Sequence, residues 1–369
     1  MDKAAILVLG GYGSAGSVIT RLLLAKTAVK HVIIAGRRAQ KAQELSQSLA
    51  AEFGEERVSP LGVDADDEAG LRQALAQVDL VIVCLAYRDD QAEIMLRAVL
   101  DSGIHYIDLT PDAQKQQLFT SRADELAARS CIVLTEAGII PGCPSVLIRL
   151  AAREFDRVTV VTLASLYRDR DMAMDGARDL ITHARQQPAA VYEQGRWQQT
   201  SLRALRRIDF GDRFGRQLGA PVFLDELHAL PERYQIESLY LYQGSLNPVA
   251  DGVLLLWRLL AFLPTDQLVS PMARLLAWSI RRFTRPPFGI MQRITAQGIK
   301  NGRSQQVTIT LMQADMYRAT AIPVVVAARQ ILDGVITEPG PQFMGHAVQP
   351  QPFITEMERL GIKVKVNHE

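Results

Sequence analysis

The first third of the chain alternates short apolar runs with longer stretches of mixed, helix-forming composition. Apolar runs of four to eight residues predict buried strands, and the stretches between them predict helices. The predicted strands are Ala4–Leu9, His31–Ala35, Val58–Val63, Asp79–Leu85, Ile104–Leu109 and Cys131–Thr135, and the helices between them include Ala39–Phe53, Asp66–Ala76, Asp89–Leu100 and Asp112–Ala128. This alternation predicts an α/β domain over residues 1–143, a doubly wound parallel sheet of the Rossmann type.

The pattern changes after Pro144, where longer strands and turn-rich segments replace the regular alternation. We predict strands at Val158–Tyr167, Tyr234–Gln243, Ile290–Gly298 and Gln305–Met312, the last three antiparallel, a helix at Asp171–Gln187 and a hairpin at Val191–Ser201. These elements predict a second, mixed α/β domain over residues 144–316. A final segment, 317–369, contains a predicted helix at Tyr317–Leu332 with Pro323 in its first turn, and it ends with Phe353–Leu360 and a predicted short strand at Ile362–Val366.

A glycine-rich loop lies between the first strand and the apolar, helix-like Val18–Leu24. Its residues are Gly10, Gly11, Tyr12, Gly13, Ser14, Ala15 and Gly16, which contain the pattern G-x-G-x-x-G. In a βαβ unit, Gly11 permits the tight turn, Gly13 lets the backbone approach a pyrophosphate, and Gly16 lets helix and strand pack closely. The loop therefore predicts a dinucleotide site with the phosphates at a helix N-terminus.

The end of the second strand indicates which dinucleotide is bound. A NAD site places an acidic residue about 20 residues after the loop, on the ribose 2′-hydroxyl. This chain has Gly36, Arg37 and Arg38 there instead. Guanidinium groups bind a phosphate through charge-assisted hydrogen bonds, so the sequence predicts NADP(H). The alternative is that both arginines are the solvated start of the following helix.

Composition limits the classes of partner and compartment. The chain has 369 residues, 41 Lys and Arg against 40 Asp and Glu, and no overall positive field that would favour nucleic acid. Cys84, Cys131 and Cys143 form no C-x-x-C pair, and the six histidines lack metal-ligand spacing, so we expect reduced thiols and no metal site. No signal peptide is recognisable before the first strand, which predicts a cytoplasmic protein.

Residues 249–288 contain two apolar helical patterns separated by Pro264 and accompanied by arginines and two tryptophans. Neither pattern reaches the ~18 apolar residues that a membrane-spanning helix needs. Basic amphipathic helices with tryptophan can lie on an anionic membrane surface or contact a lipid-like substrate. The competing interpretation is a pair of core or dimer-interface helices with solvated arginines.

The glycine loop, the Ala35–Arg38 strand end, Gly103–Asp108 and Ala137–Gly142 together resemble the saccharopine dehydrogenase-like family of NAD(P)-dependent oxidoreductases. Looser similarities at Asp209–Gly211, around Glu226 and in Ala319–Leu332 extend the resemblance over most of the chain. The resemblance implies a second domain used for substrate binding and dimerisation, a C-terminal helix that returns to the first domain, and a homodimer. The family acts on several substrates and does not indicate one.

The resemblance also implies roles for individual residues. Gly11, Gly13 and Gly16 match the phosphate loop, and Arg37 and Arg38 match the ribose-phosphate position. The other cofactor positions that it implies are Asp64 and Ala65 near adenine, Leu85 and Ala86 at the strand end on the nicotinamide side, and Pro141 and Gly142 at the hinge beside the nicotinamide.

The catalytic residues are not identified by any motif, and several carboxylates are only candidates. Asp108, with His105 close by, is expected near the carboxyl end of the fifth strand, where a general acid could reach a carbonyl group. Glu136 follows the sixth strand, and Glu226, next to Asp225, could bind an amine or imine. Bracing of loops, or a solvated surface position, is the competing interpretation for all of them.

The sequence thus predicts an NADP(H)-dependent oxidoreductase. It would transfer a hydride between nicotinamide and a C=N, C=O or activated C=C group of a small or medium apolar-tailed molecule, with the cofactor supplying the chemistry. The alternative is an NADP-binding sensor or scaffold protein without catalytic activity that uses residues 249–288 to contact a partner or a membrane.

Overall fold

The chain folds into two units, and each unit draws on two separate segments of the sequence. The structure, a computed structural model, describes residues 4–85, 88–186, 189–200, 204–260 and 266–369. Unit 1 comprises Met1–Val146 and Tyr317–Gly361, and unit 2 comprises Leu147–Met316 and Ile362–Glu369. Ala86, predicted to contact the cofactor, and Pro264, predicted to separate two helices, lie outside the described residues.

Unit 1 contains a seven-stranded parallel sheet. Its strands are β1 (Ala5–Leu9), β2 (His31–Gly36), β3 (Val58–Gly62), β4 (Leu80–Val83), β5 (His105–Asp108), β6 (Ile132–Thr135) and β15 (Gly340–Phe343). Their order is β15-β6-β5-β4-β1-β2-β3, with every neighbouring pair parallel. The strand order reverses between β1 and β4, which is where ligands bind in Rossmann folds. The predicted fold class is confirmed.

The seventh strand, β15, was not predicted from the sequence. It lies at the edge of the sheet and pairs only with β6. Its Gly340 and Pro341 are residues typical of a turn, and Pro341 is compatible with a strand because an edge strand does not need every backbone N–H for pairing.

Ten helices accompany this sheet or lead out of it within the described residues. They are α1 (Ser14–Lys26), α2 (Ala39–Phe53), α3 (Glu68–Leu75), α4 (Asp89–Ser102), α5 (Ala113–Ser121), α6 (Ala123–Ala128), α7 (Cys143–Ala152), α13 (Met316–Leu332), α14 (Met344–Ala347) and α15 (Pro350–Arg359). The helix predicted over Asp112–Ala128 is interrupted at Arg122.

Pro323 lies in the interior of α13, so its predicted place in the first turn is wrong. A proline inside a helix removes one backbone hydrogen bond and costs about 3 kcal/mol. Here the residues from Ala321 to Ala328 are all buried. Burial of this apolar segment stabilises the helix on both sides of Pro323. The local propensity of proline therefore does not decide where the helix begins.

Unit 2 is built on a mixed sheet of nine strands. These are β7 (Arg157–Arg168), β8 (Ala190–Glu193), β9 (Arg196–Gln199), β10 (Arg206–Asp209), β11 (Arg216–Pro221), β12 (Ser238–Gly244), β13 (Gly289–Lys300), β14 (Arg303–Gln313) and β16 (Lys363–His368). Seven follow the order β10-β11-β12-β7-β13-β14-β16, while β8 pairs with β12 and β9. The helices of this unit are α8 (Met174–Gln186), α9 (Gly211–Phe214), α10 (Leu230–Arg233), α11 (Pro248–Leu259) and α12 (Asp266–Phe283).

Two expectations about unit 2 are corrected by its pairing. β12 was predicted as antiparallel, and it is antiparallel to β11 and β8. It runs parallel to β7, however, since the long connection through α8 and β8 lets the chain return in the same direction. Residues 317–369 were expected to pack together on the first domain. Ile362–Glu369 instead joins unit 2, because β16 forms an antiparallel ladder with β14 and thereby pairs its backbone groups.

Candidate nucleotide-binding site

The glycine loop between β1 and α1 is shaped by close backbone contacts. Gly10 has φ +79°, a conformation that favours glycine. A Cβ at Gly11 would lie 2.7 Å from Val8 O, and one at Gly16 would lie 2.3 Å from Gly10 O. The turn itself therefore depends on Gly10, whereas the sequence interpretation assigned it to Gly11. Gly11 and Gly16 are required for close packing of the backbone.

Gly13 differs from its neighbours in the loop. Its φ of −72° and ψ of 175° are extended angles that any residue can adopt. A Cβ there would have one chain atom close to it, Gly10 O at 3.1 Å. Gly13 also precedes the first turn of α1, where no side chain caps the helix, and the next two residues, Ser14 and Ala15, are at least partly exposed. Space above Gly13 and uncapped N–H groups fit the pyrophosphate of a dinucleotide.

Tyr12 connects the glycine loop to the end of β2. Its ring lies so close to Gly36 that a Cβ there would be 2.7 Å from Tyr12 Cε1. The backbone N–H of Arg38 donates to the Tyr12 hydroxyl at 3.0 Å. The sequence did not indicate this contact, because residue 12 falls at a variable position of the G-x-G-x-x-G pattern. Tyr12 thus fixes the backbone from which the two arginine side chains extend.

Arg37 and Arg38 are both exposed, and Arg38 is the residue immediately before α2. Within the described part of the chain, neither guanidinium forms an ion pair. Both remain available to an anion, and the fixed fork of donors in a guanidinium matches a phosphate. The residues present at this strand end therefore fit the 2′-phosphate of NADP.

The other predicted cofactor residues lie at the same carboxyl edge of the sheet. Asp64 follows β3, is exposed, and accepts from the backbone N–H of Asp66 at 3.3 Å, while Ala65 is buried. Leu85 follows β4, and its Cδ2 lies 3.2 Å from the position of a Cβ on Gly10. The parallel strands thus bring Asp64 and Leu85 to the edge that carries the glycine loop.

The loop after β6 is buried and tightly packed. Glu136 has φ +55°, and Ile140–Pro141 is a cis peptide bond. Gly142 has φ +110°, and a Cβ there would lie 2.6 Å from Met344 Cε and 2.8 Å from Gly138 O. Pro141 and Gly142 therefore belong to a compact connection between β6 and α7, and their role as a hinge beside the nicotinamide stays a prediction.

Asp108 is completely buried at the carboxyl end of β5, where it has three partners. Lys115 Nζ lies 2.8 Å from Oδ2, and the Tyr106 hydroxyl donates to the same oxygen at 2.7 Å. The backbone N–H of Glu136 donates to Oδ1 at 3.2 Å. Lys115 is itself 1% exposed and also donates to Thr110 O at 2.6 Å. These contacts brace the loops after β5 and β6, and they favour a structural role for Asp108.

Lys115 was missed by the sequence interpretation. It lies in the first turn of α5, a position normally read as solvated helix surface. The available signal was a lone lysine seven residues after a strand-end aspartate, and only the turn between β5 and α5 folds it back onto Asp108.

The remaining candidates are His105 in unit 1 and Glu226, with Asp225 beside it, in unit 2. His105 is the first residue of β5, at its amino end, so its expected position near the carboxyl end is wrong. Burial lowers the pKa of His105, and the charge of Asp79 partly opposes that shift. Its Nδ1 accepts from the backbone N–H of Ile132 at 3.1 Å. Glu226 belongs to unit 2, where it is completely buried in the short turn Asp225–Leu227, and Asp225 is exposed.

Cysteines and acidic clusters contribute little to this site. Cys84, Cys131 and Cys143 are free thiols. Desolvation raises the pKa of Cys84 to about 12, so this thiol is protonated at neutral pH. Across the described ranges, no group of three or more His, Cys, Asp and Glu side chains could hold a metal ion.

Residues 6–134 match the family model described as the saccharopine dehydrogenase NADP binding domain. The first domain of the chain, over residues 6–134, is saccharopine dehydrogenase-like. This confirms the resemblance read from the sequence, and it agrees with the glycine loop and the arginines after β2. The matched region covers the sheet from β1 to β6 and therefore the whole candidate nucleotide site except the loop after β6.

Solved structures extend the likeness to the fold of the whole chain. An apo saccharopine dehydrogenase (L-Glu forming) from Saccharomyces cerevisiae matches with a TM-score of 0.67 and 14% identity, covering 99% of this chain and 100% of that chain. An amine dehydrogenase from Mycobacterium smegmatis matches with a TM-score of 0.52 and 14% identity, covering 95% of this chain and 97% of that chain. At these identities the likeness is one of fold.

A mycoketide-CoA synthase from Mycobacterium tuberculosis is 29% identical over 127 residues. The matched part corresponds to 29% of this chain and 3% of that protein. The chain thus resembles a small piece of a much longer protein.

Proposed function

We propose that this protein is an NADP(H)-dependent oxidoreductase that transfers a hydride between the nicotinamide and a C=N, C=O or activated C=C group. The observation that carries the proposal is the edge formed by β1 and β2. Gly13 has backbone angles that accept a side chain, and a Cβ there would have one close chain atom, Gly10 O at a tight 3.1 Å. Arg37 and Arg38 present two guanidiniums without ion-pair partners among the described residues. The saccharopine dehydrogenase-like family of the first domain supports the same assignment.

The cofactor would supply the hydride chemistry, and the chain would bind and orient it. The loop Gly10–Gly16 would hold the pyrophosphate at the start of α1, and Arg37 and Arg38 would bind the 2′-phosphate. Asp108 and Lys115 would keep the loops after β5 and β6 in place rather than exchange protons with a substrate.

For the substrate, we propose a small or medium molecule with an apolar tail. The fold likeness to saccharopine and amine dehydrogenases is in keeping with a C=N substrate. The short match to mycoketide-CoA synthase is in keeping with an acyl chain. We further propose that the enzyme is a cytoplasmic homodimer, which gel filtration with light scattering would test.

Calorimetric titration with NADPH and with NADH tests the nucleotide assignment. The wild type should bind NADPH more tightly, because only NADPH carries the 2′-phosphate. The double variant Arg37→Ala/Arg38→Ala should lose this preference, with NADPH affinity falling about 10- to 100-fold toward the NADH value, a loss of about 1.4–2.8 kcal/mol. Arg207→Ala/Arg303→Ala, two exposed arginines of unit 2, is the matched control.

A second variant separates loss of the site from loss of the fold. Gly13→Val should abolish NADPH binding while the protein stays folded, because its angles are open to valine and its side chain would occupy the pyrophosphate position. Gly176→Val, at an exposed glycine of α8, controls for adding the same side chain elsewhere. Unchanged NADPH affinity in Gly13→Val would overturn the assignment.

Turnover distinguishes the enzyme from a sensor or scaffold without catalytic activity. Purified protein should oxidise NADPH in the presence of a member of a panel of imines, ketones and enoyl thioesters. Tight NADPH binding without turnover on the whole panel would favour the sensor. The observation that favours this alternative is that Asp108, a candidate general acid, is already bound by Lys115 and Tyr106.

A further inference from the structure

The helices α11 and α12 each have two apolar faces. Their inner faces pack with α8 in one hydrophobic cluster that includes Val253, Trp257, Leu276 and Ile280. Their outer faces carry large hydrophobic side chains that are exposed to solvent. A helix that is apolar on both sides usually has a second partner, because one buried face is enough for a surface helix.

On α11 the outer face carries three exposed leucines. Leu255 is 42% exposed, Leu256 46% and Leu259 64%. Between them and the helix start lies Gly252, where an added Cβ would meet no described atom within 4 Å beyond the nearby backbone of α11. At 100° per residue these positions fall on one side of the helix, opposite the buried Ala250, Val253 and Trp257.

On α12 the outer face is an apolar stripe that ends in a cation. Leu268, Pro271, Leu275, Trp278 and Arg282 follow one another at spacings of three or four residues, which places them along one side of the helix. All five are exposed, and Trp278 is 50% exposed. The stripe therefore combines leucines, an interfacial tryptophan and an arginine, the composition of helices that lie in a membrane surface.

The segment that contains α11 and α12 is positively charged. Residues 248–288 contain five arginines and two aspartates, a net charge of +3. Arg281 is paired with Asp171 at 3.0 Å. Arg274, Arg282 and Arg285 are exposed and form no ion pair with any residue in the described parts of the chain. Three cations beside an exposed apolar surface complement an anionic interface.

We propose that α11 and α12 dock this protein on the surface of a bilayer that contains anionic lipids. The apolar residues would enter the boundary between headgroups and acyl chains, and Arg274, Arg282 and Arg285 would contact the lipid phosphates. Among the described residues, no helix is long and apolar enough to cross a membrane. The proposal is independent of the proposed oxidoreductase function.

A second copy of the chain is a poorer occupant for this surface. A two-fold symmetric contact brings the same patch from both copies together, so the positive charge of one patch would meet the same charge on the other. Among the side chains described for this patch, Asp251 is the one acidic group, and a single carboxylate does not balance Arg274, Arg282 and Arg285. It is half-buried and accepts from Ser245 and from the backbone N–H of Leu246. The side chain of Asp266 lies outside the described set.

Sedimentation with sucrose-loaded vesicles tests the proposal on the full-length protein. We expect binding to vesicles with 30 mol% phosphatidylglycerol to be at least tenfold tighter than to pure phosphatidylcholine vesicles, and to weaken with added salt. Leu259→Glu/Trp278→Glu should reduce binding at least tenfold. Leu218→Glu, at a leucine of β11 that is 49% exposed, is the matched control and should bind as the wild type does. Circular dichroism verifies that each variant is folded.

The charge is tested separately. Arg274→Gln/Arg282→Gln should weaken binding to anionic vesicles about 30-fold, since each basic residue near an anionic surface is worth about 1 kcal/mol. Arg207→Gln/Arg303→Gln, which removes two exposed arginines elsewhere in unit 2, should leave it unchanged. Quenching of Trp278 by brominated lipid should accompany binding and disappear in Trp278→Phe.

Three results would overturn the proposal. The first is failure of the wild type to sediment with anionic vesicles. The second is equal binding by the wild type and Leu259→Glu/Trp278→Glu. The third is a dimer that dissociates in Leu259→Glu/Trp278→Glu but not in Leu218→Glu, which would assign the surface to a second copy. NADPH affinity should be the same in all of these variants, so failure here leaves the nucleotide assignment untouched.

Discussion

Two parts of the same sheet edge in unit 1 are built in opposite ways. At the ends of β1 and β2, glycines hold the backbone close together, and the charged groups of Arg37 and Arg38 are exposed without ion-pair partners in the described chain. At the ends of β5 and β6, Asp108 and Lys115 are buried and bonded to each other. The first part keeps its charges available to a ligand, whereas the second uses them to hold loops.

This difference shows why a charged residue at the carboxyl edge of a Rossmann sheet is not by itself a functional residue. Arg37, Arg38 and Asp108 all lie at the carboxyl ends of strands. They differ in whether their side chains already have charged partners in the protein. A carboxylate that already accepts from Lys115, Tyr106 and the N–H of Glu136 has its acceptor capacity largely used. A guanidinium with five donors and no ion pair has its capacity free for an anion.

The largest effect is expected for Lys115→Met. It removes the cation and leaves Asp108 buried and ionisable, so we expect the free energy of unfolding to fall by about 3–5 kcal/mol. In the double variant Asp108→Asn/Lys115→Met no buried charge remains, and we expect at least half of that loss to be recovered. Chemical denaturation followed by circular dichroism measures both.

The same pair of variants would expose an error in the comparison. Lys115→Met could instead have a free energy of unfolding within about 0.5 kcal/mol of the wild-type value and yet lack NADPH turnover. In that case Asp108 and Lys115 would act in the chemistry and not in holding the loops. Arg129→Met, at an exposed residue of the same unit, is the control for removing a cation.

Much of the fold was predictable from the sequence because the parallel strands are continuous apolar runs. β1, β2 and β6 agree with their predicted ranges to within one residue at each end. The failures have a common cause. Gly340–Phe343 forms a strand only through pairing with β6, and Pro323 is held in a helix by burial, so both depend on tertiary contacts that no local pattern contains.

The parts of the candidate site that depend on backbone position were predictable from the sequence. Gly13 and Gly16 belong to a pattern whose spacing is fixed by the turn from β1 into α1, and Arg37 and Arg38 follow from their place at the end of β2. Side-chain contacts across the chain were not predictable. The contact between Tyr12 and Arg38 and the pair of Asp108 with Lys115 each join residues from two different loops or elements.

A smaller effect is expected for Tyr12→Phe. This variant tests whether the end of β2 selects NADPH over NADH. The variant removes the acceptor of the Arg38 N–H, a hydrogen bond worth about 1 kcal/mol, and loosens the backbone that carries both arginines. We expect NADPH affinity to fall about three- to tenfold, with NADH affinity unchanged because NADH has no 2′-phosphate.

The control for Tyr12→Phe is Tyr317→Phe, which removes a hydroxyl from a half-buried tyrosine of the same unit. Equal losses for NADPH and NADH in Tyr12→Phe would mean that Tyr12 supports the glycine loop alone and has no part in cofactor selection.

The smallest effect concerns His105, at the opposite edge of the sheet from both parts compared above. Burial lowers its pKa, and Nδ1 must stay unprotonated to accept from the N–H of Ile132. The unfolded chain therefore binds a proton more readily than the native chain does, so the stabilising contribution is present above the unfolded pKa of about 6.5 and is lost as the pH falls below it.

The free energy of unfolding, measured from pH 7.5 to 5.5, should fall less steeply in His105→Gln than in the wild type. His368→Gln, at an exposed histidine, should follow the wild type. NADPH affinity should not distinguish His105→Gln from the wild type over this range, because the group that titrates lies at the amino end of β5 and the nucleotide edge lies at the carboxyl ends. A change in the pH dependence of NADPH binding in His105→Gln would show that the two edges are coupled through β5.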